Sequence, residues 1–154
     1  MTSVSATLTI PVPIDAVFDV IADPTTHVAI DGTGWVREEV DVAPITELGQ
    51  VFRMGMFHPQ HPDGDYEIHN LVVALDRPRV IGWKPGYVAD DGNLAFGGWV
   101  WRYDLTAVDD GTEVTLTYDW SGVPPEGHKV LTFPPFPPDH LSDSLVHLAE
   151  LAQS

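Results

Sequence analysis

Three histidine settings in this chain have the residue types and spacing to do chemistry. His58-Pro-Gln-His61-Pro-Asp63-Gly-Asp65 gathers two imidazoles and two carboxylates in eight residues, ligand types that suit zinc or iron. An i, i+3 pair meets on one face only in a helix, and Pro59 and Pro62 oppose a helix. The segment therefore reads as a solvated loop between strands, and no metal is assigned. His27 and Asp31 stand four apart, the spacing at which an imidazole and a carboxylate can pair across one helical turn and raise the imidazole's pKa. The preferred reading of this pair is a helix-terminus hydrogen bond that fixes the glycine turn after it. His69-Asn70 lies inside an otherwise apolar stretch, so one of the two must face the interior, where a buried imidazole or amide needs a partner.

Other chemistries are excluded by what is missing. The chain has no cysteine, which removes disulfides, thiolate nucleophiles and sulfur-ligated metals. Asp31-Gly-Thr-Gly34 is followed by no lysine and is not a phosphate loop. Ser121-Gly122 lacks the glycine before serine that a nucleophile elbow requires. Pro134-Pro-Phe-Pro-Pro138 has P-x-x-P spacing without a flanking basic residue, which suits a rigid hinge or lid better than a peptide ligand. No cofactor is expected. Seven Lys plus Arg against 23 Asp plus Glu give a net charge of −16, which repels a phosphate backbone or an anionic membrane, so nucleic-acid binding is ruled against. The N-terminus lacks the features of a signal peptide and no run approaches the roughly 20 apolar residues of a membrane span. The expectation is a cytoplasmic protein with no membrane insertion; its oligomeric state is left open.

These side chains need a scaffold, and the apolar pattern describes one. Residues 1–154, with 44% hydrophobic content, suit one compact domain. Val4, Ala6, Leu8 and Ile10 alternate with polar residues as a half-buried strand does. Ile14, Val17, Phe18 and Ile21 then fall on one helical face behind Pro13, and Pro24 ends that helix or bends it into a second short one that Thr25 or Thr26 could cap. From Trp35 to Trp120 strands alternate with turns. Val36, Val40 and Val42 alternate with polar residues; Phe52, Met54 and Met56 share one face of the next strand; the stretch from Tyr66 to Leu75 is too evenly apolar for its phase to be fixed. A glycine-punctuated loop covers Gly86 to Gly98. Trp99, Trp101, Tyr103 and Leu105 face one way, Asp110-Gly111 marks a hairpin, and Val114, Leu116, Tyr118 and Trp120 return. Six of the 14 prolines lie in a stiff connector from Pro124 to Pro138, and Leu141, Leu145, Leu148 and Ala152 form a terminal helix. Arg53 and Arg102 alternate with apolar neighbours and are expected to face solvent beside surface acids. The predicted class is α+β: a curved antiparallel sheet of about seven strands with two short helices, wrapped around a long C-terminal helix.

Ile10-Pro-Val-Pro-Ile-Asp-Ala-Val-Phe-Asp-Val-Ile-Ala-Asp-Pro24, Leu48-Gly-Gln-Val-Phe52 and the stretch from Trp99 to Trp120 around Asp110-Gly-Thr-Glu-Val114 resemble the START-like superfamily, also called SRPBCC or helix-grip. More narrowly, they are similar to bacterial polyketide cyclase/dehydrase-like proteins. These are scaffold motifs, and fold alone does not name a function. The resemblance implies an internal cavity between sheet and terminal helix that holds an apolar or amphipathic small molecule. Its walls are expected from Phe52, Met54, Met56, Trp83, Trp99, Trp101, Tyr103, Tyr118 and Trp120, with His69 or Asn70 as polar contacts, the mixture that lines small-molecule pockets.

Three functions follow as expectations. The preferred one is binding of a lipid, polyketide or aromatic metabolite. The second is a cyclase or dehydratase in which His69 or Tyr103 moves protons. The third is a protein-interaction module of the chaperone-activator type, which predicts a collapsed interior and an exposed apolar patch.

Overall fold

A computed structural model of the chain describes residues 2–31, 36–57, 65–130 and 133–154. Strand β1 (Ser3–Ile10) leads through Pro11 and Pro13 into helix α1 (Ile14–Ile21). Pro13 supplies φ −57° just before the first turn, Asp15 lies at the positive end, and Val17, Phe18 and Ile21 are buried, as the helical spacing predicts. A 3-10 turn (Pro24–Thr26) continues into the short α2 (His27–Asp31). The cap of that turn is Asp23, not a threonine: its carboxylate accepts from the Thr25 N–H at 3.0 Å and the Thr25 hydroxyl at 2.7 Å. A carboxylate is the stronger acceptor at a helix start, and Thr26 instead donates to the Val20 carbonyl at 2.7 Å.

The strands β2 (Val36–Glu39), β3 (Val51–Phe57), β4 (Asp65–Asp76), β5 (Val80–Val88), β6 (Leu94–Phe96), β7 (Val100–Val108) and β8 (Gly111–Asp119) follow. Together with β1 they form one antiparallel sheet ordered β1-β8-β7-β5-β4-β3-β2, with β6 hydrogen-bonded to β5. Among the described residues the count is eight, against an expectation of about seven. The extra strand, β6, lies in residues 86–98, where the glycines predict a loop. Gly86 lies in β5, and a Cβ on it would stand 2.7 Å from the Phe96 ring, so this glycine permits close strand pairing and does not mark a loop. In the opposite direction, β2 stops at Glu39, leaving Val40 and Val42 exposed instead of extending an alternating strand.

The phase of β4 is set by a register shift between Val72 and Ala74 against β5. Ile68, Asn70 and Val72 point inward before it, and Leu75 packs on the core after it. A bulge reverses the in/out alternation within one strand, which is why the sequence of β4 shows no clean period. The hairpin at Asp109-Asp110 closes with Val108 opposite Gly111. Gly111 has φ 152°, and a Cβ there would lie 2.1 Å from the Ile10 carbonyl oxygen, so the site accepts only glycine.

The proline-rich connector is not uniformly extended, since α3 (Gly127–Val130) interrupts it. Helix α4 (His140–Gln153) then lies on β1, β8, α1 and α2. Leu141, Leu145 and Leu148 are buried beneath it, with Ala152 packed at the margin. This curled sheet gripping a terminal helix is the predicted α+β architecture. Arg53 and Arg102 lie on its outer face, paired with Asp41 and Asp104 at 2.9 Å.

Candidate functional site

Sheet, α2, α4 and the segment leading into α4 line a partly open cavity of about 420 Å³. At roughly 24 cal/mol per Å³, an empty dry void of that size costs on the order of 10 kcal/mol, comparable with the whole stability of a domain. Such a space is occupied, by water or by a ligand.

Alternation along the strands decides which expected residues reach it. Met54 and Met56 on β3, Asn70 on β4, Trp83 on β5, Trp101 and Tyr103 on β7, Tyr118 on β8 and Trp99 just before β7 all line the cavity. Three expected residues do not. Phe52 is fully buried behind the wall, edge-on to His27 and Trp83 with ring centroids 5.5 and 5.4 Å away. Trp120 lies behind the opposite wall, stacked on Phe133 at 6.4 Å and tilted against Tyr118. His69 faces the outer side of β4, with Nε2 3.3 Å from Glu67 Oε1. Of the adjacent pair it is Asn70, 5% exposed, that turns inward. Successive residues of a strand take opposite faces, so placing Asn70 inside removes His69 from the cavity.

The polar groups of the cavity come mostly from helices. His27 and Asp31 share α2 without pairing with each other. His27 donates Nε2–H to the Ile21 carbonyl at 2.8 Å and stacks on Trp83, while Asp31 Oδ1 stands 3.7 Å from Nε2 of His140. His140 opens α4, and Ser144 follows it one turn later on the same face; both are buried and line the cavity. Their i, i+4 spacing, beside Leu141 and Leu145, places them on the buried side of the helix, a clue in the sequence that the leucine pattern overshadowed. Tyr66 adds a further phenol from β4. The roof comes from the proline-rich segment, whose Phe136 ring lies 5.0 Å from Tyr118, 5.7 Å from Trp101 and 4.8 Å from His140. The proline-rich segment thus borders the cavity. His58, His61 and Asp63 of the His58–Asp65 cluster and the glycines after Asp31 lie outside the described residues, while Asp65 opens β4; among the described residues no group of His, Asp and Glu could hold a metal ion.

Burial controls the charge inside. Desolvation lowers the pKa of His27, against the opposing effects of the Ile21 carbonyl and Asp23. It also lowers that of His140, with Asp31 pulling the other way. Burial pushes the phenols of Tyr66, Tyr103 and Tyr118 up, and the Asp31 charge adds to the effect at Tyr103. The imidazoles are therefore neutral near pH 7 and the phenols remain hydrogen-bond donors. Among the described residues, the Asn70 amide and the hydroxyls of Tyr103 and Tyr118 form no hydrogen bond with the protein, although all three residues are at most 5% exposed. Buried polar groups of this kind are satisfied by what fills the cavity.

A curled antiparallel sheet closed by a C-terminal helix over an internal cavity defines the START-like, SRPBCC class. Within that class, the chain belongs to the Activator of Hsp90 ATPase homolog 1-like family, whose model matches residues 11–134. Among solved structures, it is similar to protein Ms6760 from Mycobacterium smegmatis, with 20% identity and a TM-score of 0.66 over 99% of this chain and 91% of that one. A solution structure of a protein from Arthrobacter aurescens gives a TM-score of 0.70 at 12% identity, covering 99% and 86% of the two chains. A point mutant of norcoclaurine synthase from Thalictrum flavum, in complex with a transition-state analogue, gives 0.61 at 12% identity over 98% and 93%. At these identities the likeness establishes the fold alone. No curated protein is significantly similar in sequence.

Proposed function

We propose that this protein binds an apolar or amphipathic small molecule, such as a lipid, polyketide or aromatic metabolite, in the cavity between sheet and terminal helix. The observation that carries this reading is the set of buried polar groups without a hydrogen-bond partner among the described residues, Asn70, Tyr103 and Tyr118, set among indole and methionine walls around about 420 Å³. Apolar walls supply the binding energy, and the few converging polar groups orient the guest. The test is thermal shift combined with native mass spectrometry across a panel of apolar alcohols, ketones and amines. A true ligand at about 100 times its Kd stabilises the fold by about 2.7 kcal/mol and perturbs the fluorescence of Trp83, Trp99 and Trp101. A panel that gives neither stabilisation nor a mass adduct removes the reading.

A second reading, proton-transfer catalysis of the cyclase or dehydratase type, is favoured by one feature. Asp31 and His140 stand 3.7 Å apart on the cavity wall, and a buried neutral imidazole beside a carboxylate is suited to act as a base. His69, expected in that role, faces away. Turnover of an enolisable polyketide-like substrate that is lost in His140→Gln but kept in His69→Gln supports this reading; equal turnover in both removes it. The interaction-module reading requires a collapsed interior, and a cavity of this size speaks against its simplest form.

A further inference from the structure

Every lysine and arginine of the chain is placed elsewhere than the cavity. Arg53, Arg79 and Arg102 pair with Asp41, Asp76 and Asp104 at 2.9 Å, and Arg77 pairs with Asp19. Arg37 lies over the Phe57 ring at 4.7 Å and Lys84 over Phe96 at 4.3 Å. Lys129 is exposed on α3. These are all seven cationic side chains of the sequence, and none lines the cavity.

The cavity wall does carry a carboxylate. The Asp31 side chain is 11% exposed, and its Oδ2 accepts from the Val36 N–H at 3.3 Å. Its imidazole neighbour His140 resists protonation because it is buried, and His27 spends its Nε2–H on the Ile21 carbonyl. Trp83, Trp101 and Tyr103 line the same cavity.

Resting on the reading of this cavity as a ligand site, we propose that its preferred guests are apolar amines bound as ammonium ions, and that apolar carboxylates of the same shape are rejected. An ammonium head gains the attraction of Asp31 and of the indole and phenol faces, which act on cations within about 6 Å of a ring centroid. A carboxylate head of the same length meets Asp31 as a like charge in a medium of low dielectric, with no lysine or arginine to offset its desolvation. The net charge of −16 acts in the same direction outside, concentrating cations and depleting anions at the mouth. An uncharged head gains neither effect and falls between.

The experiment compares phenylbutylamine, phenylbutanol and phenylbutyrate on the whole chain at neutral pH, by calorimetry and by quenching of indole fluorescence. The expected order is amine, then alcohol, then carboxylate, with the amine about tenfold or more tighter than the carboxylate. In Asp31→Asn the amine loses its advantage over the alcohol. If that variant does not fold, the order in the native chain decides. Phenylbutyrate or phenylbutanol binding as tightly as phenylbutylamine overturns this inference and leaves the ligand site standing. Failure of all three to bind, with the broad panel also silent, removes the ligand site itself.

Discussion

His27 lies stacked on Trp83, with ring centroids 5.0 Å apart and planes 15° from parallel, and its Nε2–H is held by the Ile21 carbonyl at 2.8 Å. Protonating this imidazole would place a charge in a fully buried site. His27 and His140 both have folded-state pKa values below the ordinary 6.5, so below that pH the unfolded chain binds protons that the native chain does not. Stability is complete above about pH 6.5 and declines as the pH falls towards the folded values, by up to about 1.4 kcal/mol per pH unit for each histidine. Urea denaturation between about pH 7.5 and about pH 5 measures the slope. His27→Gln, which keeps a donor and cannot titrate there, should remove the His27 share of the slope and leave that of His140. Asp41 acts in a separate, more acid window. The Arg53 hydrogen bond holds its carboxyl below the usual 3.8, so its contribution is present above that value and is lost as the pH falls below it.

Asn70 and Tyr103 are expected to trade stability for recognition. Their buried amide and hydroxyl have no partner among the described residues, and a buried polar group without a partner costs about 1–3 kcal/mol. Water in the ligand-free cavity replaces only part of those bonds, so Asn70→Leu and Tyr103→Phe should each stabilise the ligand-free protein, by at most about 1 kcal/mol, and weaken binding of a polar-headed guest. Denaturant midpoints and titrations on the same preparations check both signs. A loss of stability with unchanged affinity would show these groups to be structural.

Phe136 closes the cavity by packing on Tyr118, Trp101 and His140. Phe136→Ala should cost about 1–2 kcal/mol of stability, since the ring is only half-buried. Ligand release should accelerate by about tenfold, because affinity changes at one site appear mainly in dissociation. Stopped-flow recovery of indole fluorescence after displacement reads that rate. An unchanged rate would show that guests leave by another route.

Gly111 joins the ends of β1 and β8 at a point where no side chain fits. Gly111→Ala combines an unfavourable φ with a clash against backbone, and should destabilise the fold by about 3 kcal/mol. A change in Tm of less than a degree would show that the hairpin can shift to accommodate it.

Sequence alone determined the faces of β1, α1, β7, β8 and α4 and the order of the elements apart from β6 and α3, because each of these follows from local periodicity. It misled at residues 86–98, where glycine serves strand pairing, and at β4, where a bulge breaks the period. The tertiary structure alone decided that Asp31 faces His140 and not His27, that Asn70 and not His69 turns inward, and that Phe136 forms the roof. These depend on contacts between segments distant in the chain: α2 meets α4 across more than a hundred residues. Pattern fixes which side of a strand or helix is apolar, whereas which polar groups converge inside depends on how the sheet curls around its helix.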